Sequence, residues 1–120
     1  MKGYWLIALM LLSISQFSDA ATPEQEINHL IDLVAKSDAV FIRNGTEHSS
    51  QDAADHLAMK YRKATRYAKT AEKFIENLAS KSSWSGKPYK VRLSNGSLLN
   101  AKDWLSNELK EYRRNQHIHN

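Results

Sequence analysis

The sequence predicts a small, mainly α domain carrying one β-hairpin, an α+β fold of about four helices in a single domain. Three observations carry that prediction. Apolar residues recur at spacings of three and four in several separate segments, one stretch alternates apolar and basic residues, and Asn-Gly pairs stand at two points where a chain would turn. The 120 residues, 42% hydrophobic and 25% charged, suffice for one core and are too few for two. Four Gly and two Pro exclude collagen-like and low-complexity chains. The absence of Cys excludes a disulfide scaffold, a zinc ribbon, an iron–sulfur site and a cysteine nucleophile.

The chain opens with the pattern of a secretory signal peptide. Lys2 is followed by an apolar run over residues 5–12, and Ser18-Asp19-Ala20 puts small residues where a signal peptidase reads, so cleavage is expected between Ala20 and Ala21. Eight apolar residues are too few to span a bilayer, which needs roughly 20. No Cys at the junction offers a lipid anchor, so stable membrane insertion is not expected after cleavage. An exported domain without cysteines suits a bacterial periplasm, with secretion as the other destination. The expected organisation is a signal peptide over 1–20, one globular domain over 21–113 and a flexible polar tail over 114–120.

Thr22, Pro23 and Glu24 make a helix start, and Ile27, Leu30, Ile31 and Val34 continue one apolar face to about Ser37. Val40-Phe41-Ile42 is short and β-prone, and it stops at Arg43-Asn44-Gly45. A second helix, capped by Ser49 or Ser50, is predicted from the narrow stripe Ala54, Leu57, Tyr61, Ala64 and Ala68. Thr70 caps a third, from Ala71 to about Ala79, that buries Phe74, Ile75 and Leu78. Residues 80–88, with four Ser, one Gly and one Pro, read as a loop. Tyr89-Lys90-Val91-Arg92-Leu93 and Leu98-Leu99, joined by Ser94-Asn95-Gly96-Ser97, form the hairpin with one face inward. Asn100 with Asp103 resembles a capping box for a last helix whose inner face holds Trp104, Leu105, Leu109 and Tyr112.

The net charge of +4 hides a polarised distribution. Residues 21–59 hold two bases and seven acids, whereas residues 60–92 hold ten bases and two acids. Arg62, Arg66, Lys69 and Lys73 line one basic ridge if the second and third helices are continuous. Such a ridge is either a solvated face, partly neutralised by Asp32, Asp38, Asp52 and Asp55, or a surface for an anionic envelope component. No nucleic-acid-binding motif is present, so nucleic acid is not an expected partner.

Catalytic groups are present by residue type only. His48 beside Glu47 makes an acid–base pair on paper, but eight residues of helix would hold His48 and His56 roughly 12 Å apart, too far to share a small ligand. Ser82, Ser83 and Ser85 lack the Gly-x-Ser-x-Gly and Ser-x-x-Lys arrangements that activate a hydroxyl. Glu72 and Glu76, one turn apart, do not make a glycosidase pair. His117-x-His119 alone is a weak, unselective metal site, so neither a metal nor a cofactor is assigned.

Five motifs read in order carry a family resemblance. They are Phe41-Ile42-Arg43-Asn44-Gly45, His56-Leu57-x-x-Lys60, Thr70-Ala71-Glu72-x-Phe74-Ile75, Ser80-Lys81-Ser82-Ser83-x-Ser85-Gly86-x-Pro88-Tyr89 and Trp104-Leu105. Together they resemble a domain-of-unknown-function family of small exported proteobacterial proteins, over roughly residues 24–113. The resemblance implies a signal peptide, one domain and a place outside the cytoplasm, and it brings no reaction, ligand or catalytic residue. That family commonly has an aromatic residue, usually Tyr, where His48 stands, which counts against His48 as a general catalytic group.

The motif residues outside the expected core are Arg43, Asn44, Glu72, Ser82, Ser83, Ser85 and Tyr89. One reading is architectural: Arg43 pairs with Glu72, Asn44-Gly45 makes a turn, and the serines cap loops. The other is a polar groove in which Arg43 and the serines hold an anionic or sugar-like ligand, with Trp84 as an exposed stacking platform. The expected function is a non-enzymatic binding or interaction module of the bacterial envelope, meeting an anionic component or another periplasmic protein. The alternatives are a small envelope hydrolase with Glu72 or His56 as its base, and an inhibitor or partner of a secreted enzyme.

Overall fold

The computed structural model describes residues 20–119, so the expected signal peptide lies, apart from Ala20, outside the described residues. Helix α1 spans Pro23–Lys36, and Thr22 caps it through a reciprocal bond with Gln25. Strands β1 (Val40–Arg43) and β2 (Thr46–His48) follow, joined by Asn44 and Gly45 at φ of 52° and 78°. Positive φ at both central residues is the backbone of a tight two-residue hairpin, and Asn-Gly is the pair that adopts it at least cost. Helix α2 is Ser50–Lys63, capped by Ser49. After a 3-10 turn at Thr65–Tyr67, helix α3 (Ala71–Phe74), capped by Thr70, runs on into a π-helical turn at Ile75–Ala79. Strands β3 (Lys90–Arg92) and β4 (Leu98–Asn100) lead into helix α4, Ala101–His119.

The four strands form one antiparallel sheet in the order β2-β1-β3-β4. This enlarges the single hairpin expected from the sequence. The outermost strand β2 reads Thr-Glu-His and has no apolar alternation to betray it. Phe41 pairs with His48 on one side and Val91 on the other, so all three side chains share the face turned toward the helices. Phe41 and Val91 are buried there with Ile27, Leu30, Val34, Leu57, Phe74, Leu105 and Leu109. Leu98 and Leu99, on the strand at the sheet edge, both lie exposed, so the inward face expected of this hairpin is carried by Val91.

Further expectations are corrected. The second helix ends at Lys63, because Ala64 takes a non-helical backbone (φ −135°, ψ 38°), so Ala68 reaches the core from a separate turn. The basic residues consequently form no continuous ridge. Arg62 is in the last turn of α2, Arg66 stacks over Tyr67 in the 3-10 turn, Lys69 precedes α3 and Lys73 is on it, all exposed. Among the acids expected to neutralise them, Asp32 pairs instead with Lys36 and Asp55 accepts from Gln51. Asn100 accepts from Lys90 rather than from the start of α4, and α4 itself continues to His119, through the segment expected to be a flexible tail. Among the described residues no helix is long and apolar enough to cross a membrane.

Candidate functional site

A cavity of about 300 Å³ opens between the inner face of β1–β2 and helix α2. Its floor is apolar, made by Val34, Phe41, Leu57, Ala79, Ala101 and Leu105. Its polar groups come from three elements. The two-residue turn fixes the register Arg43↔Thr46 and Phe41↔His48, and alternation then points Arg43 and His48 to the same side as Phe41. Helix α2 presents His56 from the opposite wall, and Lys60, one turn further along the same face, sits just outside the lining. Tyr89, at the entry to β3, brings its hydroxyl within 3.3 Å of the Lys60 ammonium, which also lies 5.2 Å from the Tyr89 ring centre.

The electrostatics of this wall are one-sided. Burial, reinforced by the charges of Arg43 and Lys60 and by His48, lowers the His56 pKa to about 4, so the imidazole is neutral at neutral pH. The Lys60 ammonium is pushed below its ordinary value by burial and by Arg43. Burial raises the Tyr89 hydroxyl, against the opposing effect of Arg43. Neither Arg43 nor Lys60 belongs to an ion pair among the described residues. Asp52 and Asp55 line the mouth but are exposed.

The 80–88 loop is braced to the β1–β2 turn beside this cavity. Ser82 is buried, and its hydroxyl accepts from Asn44 Nδ2 (3.3 Å) and from the backbone N–H groups of Trp84 and Ser85 (both 3.2 Å). The Ser85 hydroxyl donates to Asn44 Oδ1 and accepts from the Lys87 N–H. Asn44, Ser82 and Ser85 thus hold Arg43 and Tyr89 in place, with their own hydroxyl and amide groups already engaged. Ser83 is exposed, and Trp84 stands 89% exposed at the tip of the loop, outside the cavity lining.

The sequence-derived site therefore divides into parts. Arg43 and Tyr89 line the cavity, Asn44, Ser82 and Ser85 brace it, and Ser83 and Trp84 project beyond it. Glu72 is elsewhere. The pair with Arg43 is not formed: Arg113 Nη1 donates to Glu72 at 2.7 Å, and its Nε to Glu26 at 2.7 Å. This contact holds the Glu72 carboxyl below its usual range. The supposed acid–base pair of Glu47 and His48 is also absent, since Glu47 binds Arg92 at 2.8 Å.

Sequence reasoning missed Lys60 and the meeting of the two histidines. His48 is on a strand rather than on the helix that carries His56, so the 12 Å separation along one helix does not apply, and both line one cavity. The signal available was the His56-Leu57-x-x-Lys60 motif, whose i, i+4 spacing sets His56 and Lys60 on one face. Among the described residues no group of three or more metal-ligating side chains comes together.

No solved structure matches the chain. The Uncharacterized protein YfeK of Salmonella typhimurium is 38% identical over 85 residues, which cover 70% of this chain and 71% of that protein. Residues 21–113 match DUF5329, a family of unknown function, and the chain belongs to that family.

Proposed function

We propose that the protein is an exported, non-enzymatic binding module of the bacterial envelope that takes a small anion into the cavity between β1–β2 and α2. The observation that carries this reading is Arg43, half-buried in the lining over an apolar floor, with Lys60 half-buried just behind the lining residue Tyr89 and neither cation in an ion pair among the described residues. Cations so placed repel one another and give up hydration. An anion entering between them relieves both costs, and a guanidinium offers it two parallel donors. Neutral His56 adds a ring nitrogen that donates, and Tyr89 a hydroxyl.

The test is a two-dimensional NMR titration of the purified protein with acetate and inorganic phosphate. Shifts centred on Arg43, His56, Lys60 and Tyr89, lost in Arg43→Gln, are expected. No perturbation at tens of millimolar, about the weak limit for a functional small-anion site, would overturn the reading. Export is tested separately, by sequencing the N-terminus of protein recovered from the periplasm, where Ala21 is the expected first residue.

A hydrolase with His56 as base has one supporting observation, a neutral imidazole inside a cleft. A group with a pKa of about 4 is a weak proton acceptor, and among the described residues no hydroxyl is hydrogen-bonded to it. Glu72, the other candidate base, is committed to Arg113 and lies mostly in solvent. Binding is therefore the preferred reading.

A further inference from the structure

We propose that the ligand of this cavity is a small amphiphilic monoanion: a carboxylate whose head meets Arg43 and Lys60 while its apolar chain or ring lies along Val34, Phe41, Leu57 and Leu105. The inference rests on the anion-binding reading and adds the chemical class. It follows from the asymmetry of the cavity walls.

At one end are Arg43 and Tyr89, and the Lys60 ammonium, just outside the lining, lies 3.3 Å from the Tyr89 hydroxyl. A carboxylate matches this end, because its two oxygens accept in parallel from a guanidinium and retain lone pairs for the ammonium and the hydroxyl. The rest of the lining contains side chains that otherwise belong to the core. Phe41, Leu57 and Leu105 are 8%, 7% and 1% exposed, and Val34 is fully buried. An inorganic anion would satisfy the cations and make no use of this wall. A ligand with an apolar body takes that body out of water against side chains that are already buried, a contribution that salt does not screen.

Two features limit the ligand further. About 300 Å³ is at the small end of ligand cavities, which excludes a long lipid or an oligosaccharide as the enclosed group. The carboxylates of Asp52 and Asp55 line the mouth, so a second negative charge at the outer end of a ligand would be repelled. One charge, one apolar body and modest size are the common requirements.

The experiment is calorimetric or NMR titration of the purified protein with straight-chain carboxylates from acetate to octanoate, held below their micellar concentrations. Octanol, the eight-carbon dicarboxylate and inorganic phosphate serve as controls. Affinity is expected to rise about fourfold per methylene, each a buried CH₂, and then to level off as the cavity fills. Octanol, the dicarboxylate and phosphate should each bind at least tenfold more weakly than octanoate, and Arg43→Gln should lose at least tenfold for octanoate.

The outcomes separate the two claims. Equal binding of acetate, phosphate and octanoate overturns the amphiphile class and leaves the anion site standing. Equal binding of octanol and octanoate, unaffected by Arg43→Gln, overturns both. Absence of binding by any of them also overturns both. The chain-length series uses the unaltered protein, so it stays decisive even if Arg43→Gln fails to fold.

Discussion

Two arginines, one on a strand and one on the last helix, teach different things about charge in this molecule. Arg113, on α4, is held between Glu26 of α1 and Glu72 of α3 by four hydrogen bonds of 2.7–3.1 Å. The Glu26 side chain is only 11% exposed, so that clasp ties three helices together around a nearly buried carboxylate. Arg43, on β1, lines a cavity, forms no ion pair among the described residues and feels the charge of a second cation, Lys60, nearby. A charge used for architecture arrives with its counterion in the same chain. A charge without one, in the wall of an apolar cavity, is the kind that awaits a ligand.

The contrast makes its strongest prediction at the clasp. Arg113→Ala leaves Glu26 without its cation, and a loss of about 3 kcal/mol is expected in urea unfolding. Arg43→Gln should cost nothing or stabilise. If the two variants lost stability equally, Arg43 would be architectural and the contrast would be gone.

Ser82→Ala sharpens the comparison, because the cavity side is organised by neutral hydrogen bonds rather than ion pairs. Removing a buried hydroxyl that accepts three bonds should cost about 1–2 kcal/mol and speed amide exchange at Trp84 and Ser85.

The pH dependence is smaller. His56 is held neutral in the folded protein down to about 4, whereas in the unfolded chain it takes up a proton near 6.5. Over that window the unfolded state binds more protons, so stability falls as pH falls from 6.5 to 4. After discount for residual solvent contact the loss is about 1 kcal/mol, and it should vanish from the difference between wild type and His56→Asn above pH 6.5. The smallest effect is spectroscopic: in Arg43→Gln the His56 titration followed by NMR should move upward, toward 6.5.

The helices were the legible part of this chain. Thr22, Ser49 and Thr70 all cap where a hydroxyl residue precedes an apolar repeat, because capping is a contact of three residues' reach. Long-range partners were not legible. Arg43 was matched with Glu72 by charge alone, but the cation that reaches Glu72 is 41 residues away, at the edge of a segment that reads as a tail. The cavity was half visible. Arg43 and Tyr89 stood out as polar motif residues beside the expected core, whereas His48 and Lys60 required the β1–β2 hairpin, which brings a polar strand opposite α2. A three-residue polar strand leaves no periodicity to read.

The sheet also ends asymmetrically. At one edge β2 carries Glu47, whose carboxylate is bound to Arg92, while at the other β4 exposes Leu98 and Leu99. An apolar edge invites a second strand to add to it and so begins aggregation. Here the chain leaves β4 after three residues and enters α4 at Ala101, whose N–H turns back to the Tyr89 carbonyl at 2.9 Å. Three residues are about half the length that stacked fibrillar segments need. The early onset of α4 therefore makes a sticky edge too short to serve as a template.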